Sequence, residues 1–179
     1  MNAISTYRMA PLIRGTLMLL YVALVLPLAP LAPDDLRSLL IAAVPIGLLV
    51  VLAISSEQVQ LDNEGISLSH PLWCRWLIRR GWQVPWSEIQ RITPVATSQG
   101  GRVFYLRAGD GSAYLLPQRV ERFDDFLARF SRHSGIDTAS IGRITPPWTY
   151  QLLAVLSAVM VLAELILGGW LWQQGSHPF

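Results

Sequence analysis

The sequence contains little charge and no lysine. Only 15% of its 179 residues are charged and 52% are hydrophobic, whereas soluble domains have about 25% and about 45–50%. All 14 basic residues are arginine against 12 acids, and the net charge of +2 is too small to indicate nucleic-acid binding. Without lysine there is no phosphate-binding loop of the Gly-Lys-Ser/Thr type. The apolar excess favours a membrane protein.

Cysteine and histidine are also scarce. Cys74 is the only cysteine, which excludes a disulfide within the chain and a multi-cysteine metal site. The three histidines, His70, His133 and His177, are too dispersed to form a local metal-binding motif. We therefore predict no catalytic residues, no metal and no cofactor, and we expect that the protein is not an enzyme.

Three long apolar stretches predict three transmembrane helices. The first two stretches, residues 14–32 and 38–56, are each close in length to the roughly 20 residues that a helix needs to cross the hydrocarbon core. The linker between them is so short that they must form an antiparallel hairpin, and prolines predict kinks in both. The third stretch, 148–172, follows Pro146 and Pro147. It has tryptophans near both ends, as transmembrane helices commonly do at the two membrane interfaces.

The first stretch could instead be a cleaved signal peptide, because Arg8 and Arg14 precede it and Ala29–Ala32 resembles a cleavage site. It is too long for a usual signal, and a second apolar stretch follows at once, so we favour a transmembrane helix. Eleven of the 14 arginines lie between Glu57 and Pro147, and the tail after residue 172 has none. The positive-inside rule thus predicts a cytoplasmic N-terminus and domain, with the C-terminus on the opposite side.

We predict a water-facing domain at residues 57–143. It lies between the N-terminal segment with its transmembrane hairpin, residues 1–56, and the third transmembrane helix with its tail, residues 144–179. Alternating apolar residues flank turn sequences at 62–65 and 108–111, which indicates two β-hairpins. Further strands are predicted at Trp76–Val84 and Ile89–Val95. Helical spacing of apolar residues from Val120 to Phe130, with Gly135 as a stop, predicts a helix. The fold class is α+β, with a bent antiparallel sheet or open barrel closed by this helix.

The order of an Asp-Asn-Glu-Gly hairpin, the sequence Val84–Ile89, an Asp-Gly hairpin and a Phe-rich terminal helix resembles the pleckstrin-homology-like (PH-like) domains of bacterial membrane proteins. In that family the domain typically follows a pair of transmembrane helices, and the third helix here departs from that pattern. The architecture is also similar to the photosystem I assembly factor of cyanobacteria and chloroplasts. The resemblance implies a PH-like domain held at a membrane.

One segment of the domain, residues 70–82, interleaves tryptophans with arginines. Trp favours the membrane interface and Arg binds phosphate, so this segment could dock on anionic lipid or on a partner protein. Alternatively, the tryptophans belong to the core and the arginines to the outer face of a strand. The candidate docking residues are Trp73, Arg75, Trp76, Arg79, Arg80 and Trp82.

Glu164 is the only charged residue predicted within the third helix. A charged residue inside a span costs about 2.5–3.5 kcal/mol on insertion scales, so Glu164 is a candidate intramembrane contact. It could be a protonated carboxyl group hydrogen-bonded near Thr16, Tyr21 or Ser38. It could also bind a polar group of a partner subunit, take part in proton transfer, or ligate the metal of a pigment.

These features predict a non-enzymatic, membrane-anchored interaction or assembly protein that docks its domain on a membrane complex or an anionic lipid surface. The alternative is a small permanent accessory subunit of a larger photosynthetic or respiratory complex. A membrane enzyme or transporter would need a cavity with several polar groups, which three spans with one acid scarcely supply. The expected partners are membrane lipids and a membrane protein complex, and no nucleic acid.

Overall fold

The computed structural model describes residues 4–78, 81–98 and 100–175. The chain divides into two compact units. The first, which we call the sheet unit, comprises Met1–Pro11 and Ala53–Pro146, and the second, the helical unit, comprises Leu12–Leu52 and Pro147–Phe179. Residues 4–11 are therefore grouped with the sheet unit, whereas the predicted N-terminal segment, 1–56, included them with the hairpin.

The helical unit confirms the prediction of three helices that are long and apolar enough to cross a membrane. Their helical segments are α1 (Pro11–Val25), α2 (Leu28–Leu31), α3 (Asp34–Ile54) and α5 (Pro147–Gly175). Residues 26 and 27 form a turn that separates α1 from α2, and Pro45 lies inside α3. Asp34 and Asp35 occupy the first turn of α3, where the positive end of the helix dipole stabilises acids, so this helix begins four residues earlier than predicted.

Close packing joins α1 to α3 within the helical unit. The Tyr21 hydroxyl donates to the carbonyl oxygen of Val44 at 2.9 Å. The Tyr21 ring and hydroxyl also lie so close to Gly47 that a side chain at this position would collide with them. The hydroxyl of Thr16 donates to the carbonyl oxygens of Leu12 and of Tyr150, at 2.8 and 3.2 Å. Small or polar residues at these places therefore permit close approach of the helices.

The sheet unit contains two antiparallel sheets and one amphipathic helix. The first sheet has the order β1-β2-β3-β4 and the second has the order β5-β6-β7. The strands are β1 (Ser5–Arg8), β2 (Gln58–Leu61), β3 (Gly65–Ser69), β4 (Trp82–Pro85), β5 (Ile89–Ala96), β6 (Arg102–Ala108) and β7 (Ala113–Leu115), and the helix is α4 (Phe123–Ser134).

Both predicted hairpins form. Between β2 and β3 the Asp62 carboxylate accepts hydrogen bonds from the backbone N–H groups of Glu64 and Gly65, each at 2.8 Å, which fixes the turn. The predicted strand near residue 89 is β5, and α4 ends at Gly135, whose φ of 71° needs a glycine.

Two features of the first sheet differ from the prediction. The strand expected at Trp76–Val84 begins only at Trp82, and the described residues 72–78 form a 3-10 turn at Leu72–Cys74 followed by further turns. Strand β1 was not predicted at all. It pairs along its whole length with β2, so that Tyr7 faces Val59.

One hydrophobic core is shared by the two sheets and α4. Aromatic side chains dominate the contribution of the helix, and Phe123, Phe126 and Phe130 are fully buried. Tyr7 on β1 is also fully buried, with its ring edge-on to Phe126 at 5.4 Å between centroids. The N-terminal strand is therefore part of the core of the domain.

Candidate functional site

A group of exposed apolar side chains lies on the loop between β3 and β4. Leu72 and Trp76 are 81% and 82% exposed, and Trp73 and Leu77 are 48% and 45% exposed. We call these four residues the apolar loop. Single exposed apolar residues are ordinary, whereas adjacent ones commonly mark an interaction site.

The apolar loop has a defined structure. The N–H group of Cys74 donates to the Pro71 carbonyl oxygen, and those of Leu77 and Ile78 both donate to the Cys74 carbonyl oxygen. Cys74 itself is 1% exposed and anchors the turn. The apolar side chains are therefore presented by an ordered turn, which lowers the conformational entropy lost on docking.

The indole of Trp76 is suited to an apolar environment. Its Nε1–H donates to the carbonyl oxygen of Trp73 at 2.9 Å. A buried indole N–H normally needs a partner. Because the loop itself supplies that partner, the ring can leave water without an unpaired donor.

The predicted docking residues separate into three groups. Trp73, Arg75 and Trp76 are exposed, which contradicts the alternative that these two tryptophans are core residues. Trp82 is half-buried, and it packs against the core and against the ring of Tyr114 at 5.0 Å, so it does not join the exposed group. Arg79 and Arg80 lie outside the described residues.

Trp86, the next tryptophan along the chain, is also part of the core. Its Nε1–H donates to the Asp62 carbonyl oxygen at 2.9 Å, and its ring stacks on His133 with 5.4 Å between centroids. It also meets Phe130 edge-on. Two of the domain's tryptophans thus stabilise the fold, and two are available for contact.

A polar recess lies beside the apolar loop, on the outer face of the first sheet. Its volume is about 470 Å³. Gln60, Ser67 and Gln83 are neighbours across β2, β3 and β4. We define the polar recess by its lining residues, which are Gln60, Ser67, Leu68, Ser69, His70, Arg75, Gly81, Trp82 and Gln83.

His70 is the least satisfied group of the polar recess. Its Nδ1 atom is buried and has no hydrogen-bond partner within the described chain. Burial lowers the pKa of His70 below its ordinary value of 6.5. The imidazole is therefore mainly neutral at pH 7, with one nitrogen as a donor and the other as an acceptor.

A second cavity of about 260 Å³ has mostly apolar walls. Glu57 and Arg119 are among its lining residues. Burial raises the pKa of Glu57 above its ordinary value of 4.5, and the charge of Arg119 partly opposes that shift.

Glu164 lies on α5 with its Oε2 atom buried and without a hydrogen-bond partner in the described part of the chain. The hydroxyls of Thr16 and Tyr21, which the sequence had suggested as partners, donate to backbone carbonyl oxygens. The predicted contact from Glu164 to another protein group thus has no counterpart among the described hydrogen bonds.

Sequence reasoning identified the Trp- and Arg-containing segment but missed the polar recess. The recess arises from residues on three strands and a loop, so no local sequence pattern marks it. The missed strand β1 does have a weak signal, because Thr6 and Tyr7 are residue types that favour strands.

Comparison with known proteins reveals a relative along nearly the whole chain. No family model matches the sequence, and no solved structure matches it. A protein of Synechocystis sp., "Uncharacterized protein slr0269", is 36% identical over 172 residues, which cover 93% of this chain and 86% of that protein. Such coverage includes parts of both the sheet unit and the helical unit. The chain therefore belongs to the same protein family as this Synechocystis protein.

Proposed function

We propose that this protein is a non-enzymatic, membrane-anchored interaction protein that docks its sheet unit on the surface of the adjoining bilayer. The observation that carries the proposal is the exposure of Leu72 and Trp76 at the end of an ordered loop. Fully burying an apolar side chain of this size contributes about 1.5–3 kcal/mol. Because the chain also tethers the domain, a few such side chains suffice for docking.

Chain connectivity supports a protein that crosses the membrane three times. Two residues separate β1 from α1, three residues separate α3 from β2, and α5 begins after the sheet unit. Three consecutive crossings would leave all three of these helix ends on one side of the membrane. The arginine-rich composition of the sheet unit supports the cytoplasm as that side.

The proposed PH-like fold is supported by the strand arrangement. Four strands and then three strands form two antiparallel sheets around one core, and α4 follows them. The apolar hairpin lies between β1 and β2 in the chain, so it interrupts the sheet unit instead of preceding it. The domain is thereby tethered through two adjacent strands of the same sheet.

A fluorescent probe at the apolar loop tests the docking proposal. In the full chain with Cys74→Ser, Leu72→Cys is labelled with the environment-sensitive dye NBD, and the protein is placed in nanodiscs. We expect a blue-shifted emission that spin-labelled lipids quench at shallow depth. Val95→Cys is the matched control, since Val95 is also exposed and lies on the other sheet, and its probe should remain in water.

Two outcomes would contradict bilayer docking. The first is a probe at residue 72 that remains in water. The second is a blue shift that appears in native membranes but not in lipid-only nanodiscs, because the apolar loop would then bind a protein.

Glu164 favours a second interaction, within the membrane. A carboxyl oxygen that is buried without a partner needs either a proton or a polar group from another chain, and its insertion costs about 2.5–3.5 kcal/mol. We propose that α5 binds a membrane protein through Glu164, as either an assembly factor or a permanent accessory subunit would. The ratio of the two proteins in the mature complex distinguishes these roles, since only a permanent subunit is stoichiometric.

Native gel electrophoresis of solubilised membranes tests the role of Glu164. Glu164→Leu should reduce the size of the assembly that contains the protein, whereas Glu164→Gln should retain part of it through its amide. Leu165→Met is the control, because Leu165 is an exposed neighbour on the same helix. An assembly of unchanged size in Glu164→Leu would rule out this contact.

A further inference from the structure

We propose that the outer face of the second sheet binds an extended segment of a partner protein. An acidic side chain of that segment contacts Arg91 and Arg107, and a large apolar side chain four residues away enters the apolar cavity at the other end of the same face. This inference goes beyond bilayer docking, because it concerns a different sheet from the one that carries the apolar loop.

The outer face of the second sheet is the face that points away from the core. On β6, Phe104, Leu106 and Ala108 are buried in the core, so the residues that alternate with them point outward. The register of β5 and β7 places their outward residues beside those of β6. None of the outward residues is acidic. They are Arg91, Thr93, Val95, Val103, Tyr105, Arg107, Ala113 and Leu115.

Two arginines lie side by side at one end of this face. Arg91 on β5, which is exposed, pairs directly with Arg107 on β6, which is half-buried. Like charges at opposite positions of an antiparallel pair destabilise a sheet. Neither guanidinium forms an ion pair with an acid in the described part of the chain. The fold therefore keeps a repulsive pair that an acid from another molecule would neutralise.

The acids that flank the arginine pair along the chain leave it available. The Asp110 carboxylate accepts hydrogen bonds from the backbone N–H and the hydroxyl of Ser112, each at 2.8 Å. Glu88 precedes β5, is exposed, and forms no ion pair among the described residues. A carboxylate of a partner can thus accept charge-assisted hydrogen bonds from both guanidinium groups.

The second cavity lies at the other end of the outer face. Its walls are mostly apolar and its volume is about 260 Å³. Val103 and Leu115 are among its lining residues, and both point outward from the sheet. An apolar side chain of a partner would leave water in this cavity and serve as the buried anchor that protein interfaces commonly contain.

The distance between the cavity and the arginine pair sets the spacing of the two anchors. Val103 and Arg107 are four residues apart on β6, which is about 13 Å at about 3.3 Å per residue. An extended partner segment has the same rise, and its residues i and i+4 point to the same side. An apolar and an acidic residue four positions apart therefore reach both ends together, whereas residues three positions apart point to opposite sides.

The chain connections favour a protein segment over a lipid. The cavity is also lined by Met9, Ile54 and Ile144, which lie at or near the points where the chain enters or leaves its apolar helices. The arginine pair is at the end of the face that is farther from these connections. A lipid of the tethering bilayer keeps its charged headgroup at the membrane surface, so it would not carry its charge to that end.

Peptide binding to the full chain in nanodiscs of phosphatidylcholine tests the proposal by fluorescence anisotropy. The rhodamine-labelled probes are extended, Thr- and Ser-rich peptides with Phe and Glu four residues apart, in either order. We expect one of them to bind about fivefold more tightly than its counterpart with Gln for Glu, as an exposed ion pair allows, and than a peptide with a spacing of three. Equal affinities for these peptides would overturn the proposal.

Variants of the outer face locate the binding. Arg107→Gln and Arg91→Gln should each weaken it about fivefold without lowering the melting temperature, because each removes a like-charge contact. Leu115→Ser should weaken binding of the Phe-containing peptide but not of its Ala counterpart. Arg132→Gln is the matched control, since Arg132 is exposed on α4, and its affinity should be unchanged. Folded arginine variants with unaltered affinity would contradict the proposal.

Two further measurements distinguish other occupants of this face. Phosphatidylglycerol vesicles that compete as strongly as unlabelled peptide would assign the face to a lipid surface. A dimer in sedimentation that Arg107→Gln abolishes would assign it to a second copy of this chain. Either result overturns the proposal and leaves bilayer docking in place, because the probe at residue 72 reports on the other sheet.

Discussion

At the scale of single residues, we expect Glu57 to make the stability of the sheet unit depend on pH. Its folded-state pKa is raised, chiefly by burial, so the unfolded chain loses this proton first as pH rises. The free energy of unfolding therefore falls between the ordinary value of 4.5 and the raised pKa.

We expect Glu57→Gln to remove this pH dependence. The variant should melt at a higher temperature than the unaltered protein at pH 8 and at nearly the same temperature at pH 4, in scanning fluorimetry of the solubilised chain. Glu88→Gln, at an exposed position outside the cavity, is the control and should leave the difference between the two pH values unchanged. A parallel fall of stability with pH in Glu57→Gln would show that another group is responsible.

Tyr7 links the N-terminal strand to α4. Its hydroxyl donates to the Asp125 carboxylate at 2.7 Å, and Asp125 also accepts from the guanidinium of Arg129 at 3.2 Å. Burial and this hydrogen bond raise the pKa of Tyr7 to about 12, so the hydroxyl remains a donor throughout the neutral range.

Truncation of Tyr7 should strongly destabilise the sheet unit. By analogy with other buried aromatic residues, Tyr7→Ala should cost about 3–5 kcal/mol of unfolding free energy, and Tyr7→Phe should cost much less because it keeps the ring. Chemical denaturation monitored by tryptophan fluorescence measures both. A Tyr7→Ala protein as stable as Tyr7→Phe would mean that β1 contributes little to the core.

At the scale of elements, the contact between α1 and α3 depends on one glycine and one tyrosine. A methyl group on Gly47 would collide with the hydroxyl and ring of Tyr21. We expect Gly47→Ala to lower the melting temperature, and to lower it less when Tyr21→Phe removes the hydroxyl.

A double-mutant cycle of these two substitutions measures the interaction directly. Residues in contact typically show interaction energies of about 0.5–3 kcal/mol. The control pair is Gly168→Ala with Tyr21→Phe, because a methyl group on Gly168 would meet no atom within 4 Å. Additive effects in the first cycle would contradict the close packing of the two helices.

At the scale of the whole molecule, three crossings predict a definite pattern of labelling in intact cells. With Cys74→Ser as background, Asp35→Cys at the start of α3 should react with a membrane-impermeant maleimide added outside. Ser112→Cys, in the turn between β6 and β7, should react only after the cells are opened. The reverse pattern would invert the proposed orientation, and reaction of both sites from outside would exclude it.

The family relationship extends over parts of both units. The alignment at 36% identity covers 93% of this chain, so the relative aligns with parts of both the sheet unit and the helical unit. In this chain the apolar hairpin lies between β1 and β2, so the sheet unit is tethered at two adjacent strands.

The sequence by itself determined the three apolar helices, both hairpins and α4, because each depends on local periodicity, turn residues or an uncharged stretch of about 20 residues. It also singled out Trp73, Arg75, Trp76 and Glu164. Only the tertiary structure decided which tryptophans are buried, because Trp76 lies in a turn where a strand was predicted and is exposed, while Trp82 packs against Tyr114. It likewise decided that β1 pairs with β2, some 50 residues away, and that the polar recess exists. These depend on contacts between distant parts of the chain, which no local pattern encodes.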